Sequence, residues 1–387
     1  MNVTSATPAG AASTVPIMVS ASLDSPVVSN PPMFQGVEAA VSYLNANGGL
    51  HGHHIRLIKC DNKNTPNLEV ACARQAVSTK VIALVGSNFE TNPTGVKAIL
   101  GKGGVPNIAP VGGTPTLADA PTDFDIWSFL GTRASIGQAM GTRTCKTGTG
   151  VAVNVPIANL SVDYVKVGMK TGGVKPVTTV EVPISATGYA PAIEQLTSLK
   201  ATCVFPVIVE TQYLPYFQAL QSAGSKVRNF VPSVGFPTEA LKTIGAAGSK
   251  NTVETSTYLT PLANSSTPQV RLFMKEMKKY QPGAHTDGES ENSWVSVMTL
   301  NQVTKGLTKW TAAGVLNAIR HASHVNVGFG VPTLNFTKKN PTPKLSAIYD
   351  TKYHIHIVKS GTQFSDTNTI LTVESTLKKM TLTATGK

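Results

Sequence analysis

The chain has 387 residues, of which 41% are hydrophobic and 14% are charged, and its formal net charge is +12 at pH 7. This composition excludes a disordered or collagen-like polymer, because so many apolar side chains can form a sizeable core. At roughly 100–200 residues per domain, the length predicts two domains. No run approaches the ~18 consecutive apolar residues of a membrane-spanning helix, so we expect no segment to cross a bilayer.

Residues 1–14 contain neither the basic nor the apolar region of a signal peptide, and they are predicted to be a flexible leader. Basic residues exceed acidic ones by 33 to 21, an excess that could attract nucleic acid or acidic solutes. They are scattered, however, and no aromatic residues are interleaved with the densest groups, at 275–279 and 338–339. We therefore predict a basic exterior and no nucleic-acid partner.

Strands and helices alternate from residue 15 onward. A short buried strand over 15–21 precedes a helix that Pro31 and Pro32 open and Gly48 and Gly49 close. Apolar residues recur in this helix at spacings of three and four. The alternation continues with predicted strands over 54–60, 81–86 and 106–110 and helices over 66–78 and 92–102.

A second series of the same kind follows residue 127. Its predicted helices cover 133–145, 158–170, 190–200 and 213–223, and its strands 151–155, 177–182, 203–209 and 229–233. Helices then dominate over 268–280, 290–307 and 311–322, before short strands over 344–350 and 353–359. Strands alternating with helices predict an α/β fold with two doubly wound parallel sheets, each covered on both faces.

Open parallel sheets bind ligands outside the carboxyl ends of their strands. Where two such sheets face each other, the cleft between them is the expected site. The loops that would line this cleft cover residues 22–30, 87–92, 111–114, 155–159, 210–213 and 233–236.

Two of these loops carry suitable binding groups. Ser87, Asn88 and Phe89 follow a strand and precede a helix, so their polar groups could hold a carboxylate or carbonyl, although capping of that helix is the alternative. In the other loop, two glycines would let the backbone approach a solute, unless the segment is an ordinary turn. Its candidate residues are Val111, Gly112, Gly113 and Thr114.

Metal and catalytic motifs give no positive signal. The histidines at 51–54 lie in a glycine-rich turn without a neighbouring carboxylate or cysteine. His354 and His356 are predicted to share a face of a half-exposed strand. The sequence has no nucleophile elbow, zinc helix or Walker loop, so we expect a protein that is not an enzyme and has no cofactor or metal.

The four cysteines allow three pairings, or four free thiols. Cys60 ends a predicted strand and Cys72 lies in the next helix. Cys145 ends a helix, and Cys203 begins a strand that would neighbour the strand after that helix. We therefore predict disulfides Cys60–Cys72 and Cys145–Cys203, which imply an oxidising compartment.

Several segments resemble extracellular solute-binding proteins of the branched-chain amino acid type, which serve ABC importers. Residues 34–52, read as FQGVEAAVSYLNANGGLHG and followed by Cys60 and Asp61, are similar to the opening motif of that family. Weaker similarities cover 81–87, 105–115, 220–224 and 292–294, and the likeness extends over residues 15–373.

The resemblance implies a type I periplasmic-binding fold, in which two lobes joined by three crossings close around a solute. The crossings are expected near Gly131, Thr255 and Gly330. Lobe 1 would then comprise 15–131 and 255–330, and lobe 2 would comprise 132–254 and 331–373, leaving 374–387 as a terminal strand or tail. The resemblance also implies an exported protein, periplasmic or at the cell surface, with or without a lipid anchor, and we expect a monomer.

Specificity is where this sequence departs from the family. Amino-acid binders hold the α-carboxylate with a Ser and a Thr, and Ser87 matches the first, whereas Gly113 stands at the second with Thr114 beside it. The acid that holds the α-ammonium is replaced by Val234, unless Glu210 or an acid within 289–291 supplies that charge. The aromatic lid positions of the family fall near Asn159 and Val209. The candidates for stacking are instead Phe89, Tyr213 and Phe236.

Burying an ammonium group in a dry cleft without a counter-charge would make the free energy of binding less favourable by several kcal/mol. We therefore expect the solute-binding component of an ABC importer whose solute is not a standard α-amino acid. The solute would be small, partly apolar, and neutral or carboxylate-bearing. The alternative is a ligand sensor or receptor ectodomain on the same fold.

Overall fold

The computed structural model describes residues 13–25, 29–111, 116–342 and 344–383. The first sheet has five parallel strands in the order β2-β1-β3-β4-β5. β1 lies beside β2 over its whole length, and its side chains are buried at nearly every position, because helices cover both faces of the sheet. The elements of this part are β1 (Thr14–Ala21), α1 (Pro31–Ala46), β2 (His54–Asp61), α2 (Pro66–Ser78), β3 (Leu84–Val85), α3 (Pro93–Gly103), β4 (Asn107–Ile108) and β5 (Asp123–Phe124).

The second sheet has eight strands and is mixed. Its main path runs β13-β12-β11-β10-β9-β6-β7, with β8 paired to β6. The pairs β11–β12 and β12–β13 are antiparallel, so this sheet is not purely parallel as predicted. Its elements before the second crossing are α4 (Phe129–Thr142), β6 (Thr147–Val153), α5 (Pro156–Thr171), β7 (Lys175–Pro176), β8 (Val180–Val182), α6 (Ala190–Ser198), β9 (Cys203–Val207), α7 (Tyr213–Ser222), β10 (Arg228–Pro232), α8 (Glu239–Ser249) and β11 (Thr252–Ser256).

The last third of the chain returns to the first sheet and then to the second. α10 packs against α1, and β12 and β13 complete the mixed sheet. The elements are α9 (Pro268–Tyr280), α10 (Gly288–Val303), α11 (Ala312–Arg320), β12 (Lys352–Val358), β13 (Phe364–Thr372) and α12 (Glu374–Thr383).

Both predicted disulfides are confirmed. Cys60 at the end of β2 is bonded to Cys72 in α2, and Cys145 after α4 is bonded to Cys203 at the start of β9. The second pair depends on β6 and β9 being neighbours, which they are, with Gly148 opposite Cys203.

Several predicted elements are wrong. Residues 374–383 form a helix rather than a terminal strand or tail, because Leu377 and Met380 repeat at helical spacing and are fully buried. The strand predicted over 344–350 is absent apart from a single bridge between Asp125 and Ile348. The predicted leader ends too late, since Thr14 already belongs to β1, while residues 1–12 lie outside the described residues.

Residues 331–342 and 344–349 were predicted to belong to the second lobe, but Phe336, Ala347 and Tyr349 contact the last strand of the first sheet or the residue after it. Phe336 and Tyr349 both contact Phe124 of β5, at ring-centroid distances of 5.7 and 5.8 Å. The Asp125 N–H donates to the carbonyl of Ala347 at 2.8 Å.

No helix among the described residues is long and apolar enough to cross a membrane. Nor do these residues include a group of three or more side chains that could hold a metal ion.

The histidine strand is buried rather than half exposed as predicted, because β12 lies between β11 and β13. Its His356 is 1% exposed and is flanked by two carboxylates. Nδ1 lies 2.7 Å from Oε1 of Glu254 in β11, and Nε2 lies 2.9 Å from Oδ1 of Asp366 in β13. Burial opposes the charged imidazolium, but the two carboxylates outweigh it and raise the pKa of His356 from 6.5 to about 9.

This raised pKa predicts a pH-dependent stability. The contribution is fully present below pH ~6.5 and is lost as the pH rises through about 9, since the unfolded chain gives up its proton first. The shift corresponds to roughly 3 kcal/mol of unfolding free energy. We expect His356→Gln to remove this slope in urea unfolding measured from pH 6 to 10. The exposed His321→Gln should retain it, and a slope unchanged in His356→Gln would contradict the assignment.

Candidate functional site

Strand-end loops of both sheets converge at one cleft. On the first-sheet side, Asn88 donates its N–H to the carbonyl of Ser20 at 2.7 Å, and Asn62 Nδ2 donates to the carbonyl of Asn88 at 2.8 Å. Ser87 is fully buried, and its hydroxyl accepts the N–H of Ser20 at 3.1 Å. The Ser87 side chain therefore ties adjacent strands together.

The two lobes touch beside the cleft. The Gly288 N–H at the start of α10 donates to the carbonyl of Ser233, just after β10, at 3.2 Å. His285 Nδ1 lies 3.6 Å from Oε1 of Glu239 in α8. Both contacts join residues at or just before the start of α10, which packs on the first sheet, to residues that follow β10 of the second sheet. The two lobes are therefore close together here.

A buried carboxylate shapes the loop before α3. Glu69 of α2 is fully buried, and its two oxygens accept the N–H groups of Glu90, Thr91 and Asn92 at 2.7, 2.9 and 2.6 Å. Charge-assisted hydrogen bonds of this kind are stronger than neutral ones, so the loop is held in one conformation. Sequence reasoning missed Glu69, because its spacing on α2 carries no signal of a contact with a distant loop.

Two asparagine–glutamate pairs face the cleft from the first lobe. Asn30 Nδ2 donates to Glu289 Oε1 at 3.0 Å, and Asn88 Nδ2 donates to Glu90 Oε1 at 3.4 Å. In both asparagines the buried Oδ1 has no hydrogen-bond partner, and neither has the hydroxyl of Ser233 on the opposite side. Buried polar atoms are usually hydrogen-bonded, although unpaired ones also occur elsewhere in the described residues, as in the side chain of Asn107. The grouping of these atoms in loops of both lobes makes them candidates for contact with a solute.

Burial makes the cleft carboxyls hard to ionise. It raises the pKa of Glu90, and it raises that of Glu289 well above its usual value, with help from the neighbouring Asp287. Asp287, which caps α10, has its pKa raised to about 6 by burial. Burial therefore opposes the charged forms of both Glu90 and Glu289.

One cation lies among these groups. Arg133 is in the second turn of α4. The ionisable groups that act on its charge are Glu90, Tyr213 and Tyr353. Its Nε is buried and has no hydrogen-bond partner. Sequence reasoning missed it because the predicted helix began only at this residue, leaving no reason to place it at the cleft.

The aromatic residues predicted to stack on a solute lie in the cores. Phe89 is fully buried in a cluster with Met18, Cys72 and Leu84. Tyr213 and Phe236 pack edge to face at 5.1 Å within the core of the second sheet.

The other predicted site residues do not form one group, although Glu210 is near enough to help raise the pKa of Glu289. Asn159 pairs with Glu181 at 3.4 Å, Glu210 is exposed at the start of a short 3-10 turn, and Val234 is half buried. Val111 is buried next to Asn88 in a strand-like bridge. Three further candidates, Gly112, Gly113 and Thr114, lie outside the described residues.

Comparisons with known proteins agree with this architecture. Residues 14–347 match a family described as periplasmic binding protein. No protein of curated function matches the chain.

Solved structures share the fold at low sequence identity. An extracellular ligand-binding receptor from Verminephrobacter eiseniae is 19% identical, with a TM-score of 0.77 over 90% of this chain and 98% of its own. A solute-binding protein of an ABC transporter from R. palustris, solved with 4-hydroxybenzoate, is 14% identical, with a TM-score of 0.74 over 93% and 98%. A leucine-binding protein from Thermotoga maritima is 13% identical, with a TM-score of 0.74 over 93% and 99%.

The Glu69 contacts predict a loss of stability on substitution. Glu69→Gln replaces one carboxylate oxygen by an NH₂ group that cannot accept, so at least one buried N–H of the 90–92 loop loses its partner. We expect the unfolding free energy in urea to fall by about 2–3 kcal/mol. Glu194→Gln, at an exposed position of α6, should stay within about 0.5 kcal/mol of the parent. Equal stability of the two variants would show that the carboxylate does not hold the loop.

Proposed function

Because the chain belongs to the periplasmic binding protein family, we propose that it is the solute-binding component of an ABC import system. The observation that carries the proposal is the set of unpaired buried polar atoms on both sides of one cleft, those of Asn30 and Asn88 facing those of Arg133 and Ser233. Proteins of this family and its structural neighbours are binding proteins rather than enzymes. The partners would be a small solute and the membrane subunits of the importer.

We place the three crossings between lobes near residues 131, 255 and 350. The third is later than the sequence suggests, because Phe336 and Tyr349 contact β5 of the first sheet. A solute that contacts both lobes stabilises the closed form over the open one, and the importer would recognise the closed form.

The family is one of exported, periplasmic proteins, and two disulfides agree with an oxidising compartment. A receptor ectodomain on the same fold is the second candidate, since the Verminephrobacter eiseniae neighbour is described as an extracellular ligand-binding receptor. Uptake of a bound solute into vesicles that contain an importer would distinguish the two.

The solute we propose is small and partly apolar, and it is not a standard α-amino acid. Val234 offers no charge at the position of the family's acid, and burial favours neutral forms of Glu90 and Glu289. The neighbours named for leucine and solved with 4-hydroxybenzoate share one fold, so the fold alone does not set the solute.

A thermal-shift panel of amino acids, amides, aromatic acids and short carboxylates tests this function. We expect at least one compound to raise the melting temperature by about 5 °C or more at saturating concentration, without being turned over. The shift should shrink in Asn30→Ala, which removes a cleft acceptor, and persist in Asn317→Ala at an exposed position of α11. If the protein chemically converts a compound that binds, the proposed function is wrong. If it binds leucine or valine tightly, the proposed solute class is wrong.

Closure itself can be tested at Gly288. A Cβ added there would lie 2.6 Å from the carbonyl oxygen of Ser233, so Gly288→Ala should hold the lobes apart. We expect solute affinity to fall about tenfold or more with little change in melting temperature, and small-angle scattering with solute should show a larger radius of gyration.

The matched control is Gly101→Ala in α3, where the nearest atom to an added Cβ is 3.7 Å away. It should bind and close like the parent. Unchanged affinity in Gly288→Ala would mean that the Gly288–Ser233 contact plays no part in closure.

A further inference from the structure

Arg133 is held firmly where the chain passes from one lobe to the other. Ser128 caps α4, its hydroxyl accepting the Gly131 N–H at 3.2 Å, and the guanidinium carbon of Arg133 lies 3.7 Å from the centre of the Phe129 ring. Farther along α4, Gly137 packs so closely on α5 that an added Cβ would lie 2.4 Å from the Met169 nitrogen. The helix therefore has little freedom to move its arginine.

Apart from the Phe129 ring, the guanidinium has no partner in the described part of the chain. It makes no hydrogen bond or ion pair there, and its Nε is buried. Arg228, Arg271 and Arg320 each donate to a backbone carbonyl. Arg143 also has a buried Nε without a partner, but the charged group that acts on it is Arg228. Arg133, in contrast, lies near Glu90 of the first lobe and Tyr213 of the second. Leaving a buried guanidinium nitrogen unpaired costs free energy, which a bound anion would offset.

The charges around Arg133 do not neutralise it. Glu90 is the carboxyl that acts on it most strongly, yet the two groups form no ion pair, and burial raises the pKa of Glu90. Tyr213 contributes from the second lobe and Tyr353 from β12, and burial raises the pKa of both phenols far above neutral pH, so neither is charged. Burial lowers the pKa of Arg133 only to about 10, so it stays cationic at neutral pH.

We propose that Arg133 is the anion-binding residue of the cleft, and that the solute carries a carboxylate that accepts hydrogen bonds from its guanidinium. The inference rests on the proposed solute-binding function and names the chemical class of the solute. A planar guanidinium matches a carboxylate through two parallel N–H···O bonds, which gives both strength and orientation.

The side of the first lobe offers hydrogen-bond acceptors to the solute. The unpaired Oδ1 atoms of Asn30 and Asn88 require donors, so the solute carries a hydroxyl or amide N–H group on the side of the first lobe. The class is therefore a small hydroxy acid or an acid bearing an amide, with its carboxylate toward α4.

Matched pairs of probes test the assignment by isothermal titration calorimetry. Lactate, 2-hydroxyisocaproate and 4-hydroxybenzoate are each compared with the corresponding primary amide, which keeps the shape and removes the charge. We expect at least one acid to bind and its amide to bind at least tenfold more weakly.

Variants locate the effect. Arg133→Gln should weaken binding of the acid by about 10- to 100-fold, and Arg133→Lys, which keeps the charge but loses the planar fork, should fall between Arg133→Gln and the parent. Arg143→Gln removes the same charge at the other end of α4 and should bind like the parent. Melting curves of the free variants show that each is folded.

The possible outcomes distinguish the role of Arg133 from the proposed solute-binding function. Binding of amides in preference to acids, or equal affinity of Arg133→Gln and the parent for a bound acid, would overturn the role of Arg133 and leave the solute-binding function standing. Failure of every probe in this set and in the wider panel would overturn both.

Discussion

A parallel strand pair cannot be closed by a tight turn, and this constraint sets where the functional groups of the molecule lie. Each crossover must return along a helix, so successive strands end at the same edge of their sheet. In this chain Ser87 and Asn88 after β3 and Val111 after β4 therefore lie at one edge of the first sheet, and Ser233 follows β10 of the second sheet. The antiparallel strands β12 and β13 lie at the far side of the second sheet and leave this edge unchanged.

The cleft is built at a cost to the free protein. Glu69 is fully satisfied by three N–H groups, whereas Asn30, Asn88 and Arg133 keep buried atoms without partners. The first arrangement stabilises the fold, and we propose that a bound solute completes the second. The same contrast separates the His356 group, in which both ring nitrogens face carboxylates, from the unpaired guanidinium of Arg133.

Local patterns predicted many elements well. The helix over 268–280 has the predicted bounds, since a proline opens it and its apolar residues follow a helical period. α8 escaped prediction because Gly245 adopts a left-handed conformation, at φ +69°, in the middle of it. β13 escaped because its residues are largely polar and half exposed, and what defines it as a strand is antiparallel pairing with β12.

The sequence by itself determined the two-lobed α/β architecture and both disulfides, because periodicity, proline and glycine positions and cysteine spacing are local properties. Only the tertiary structure decided which side chains face that cleft. Phe89 is buried in the core, and the Ser87 hydroxyl accepts a hydrogen bond from β1. Arg133 lies near Glu90, and Glu289 is bonded to Asn30, although these partners are distant in the chain. Such placements depend on which groups find partners once the elements pack, and spacing along one segment does not encode that.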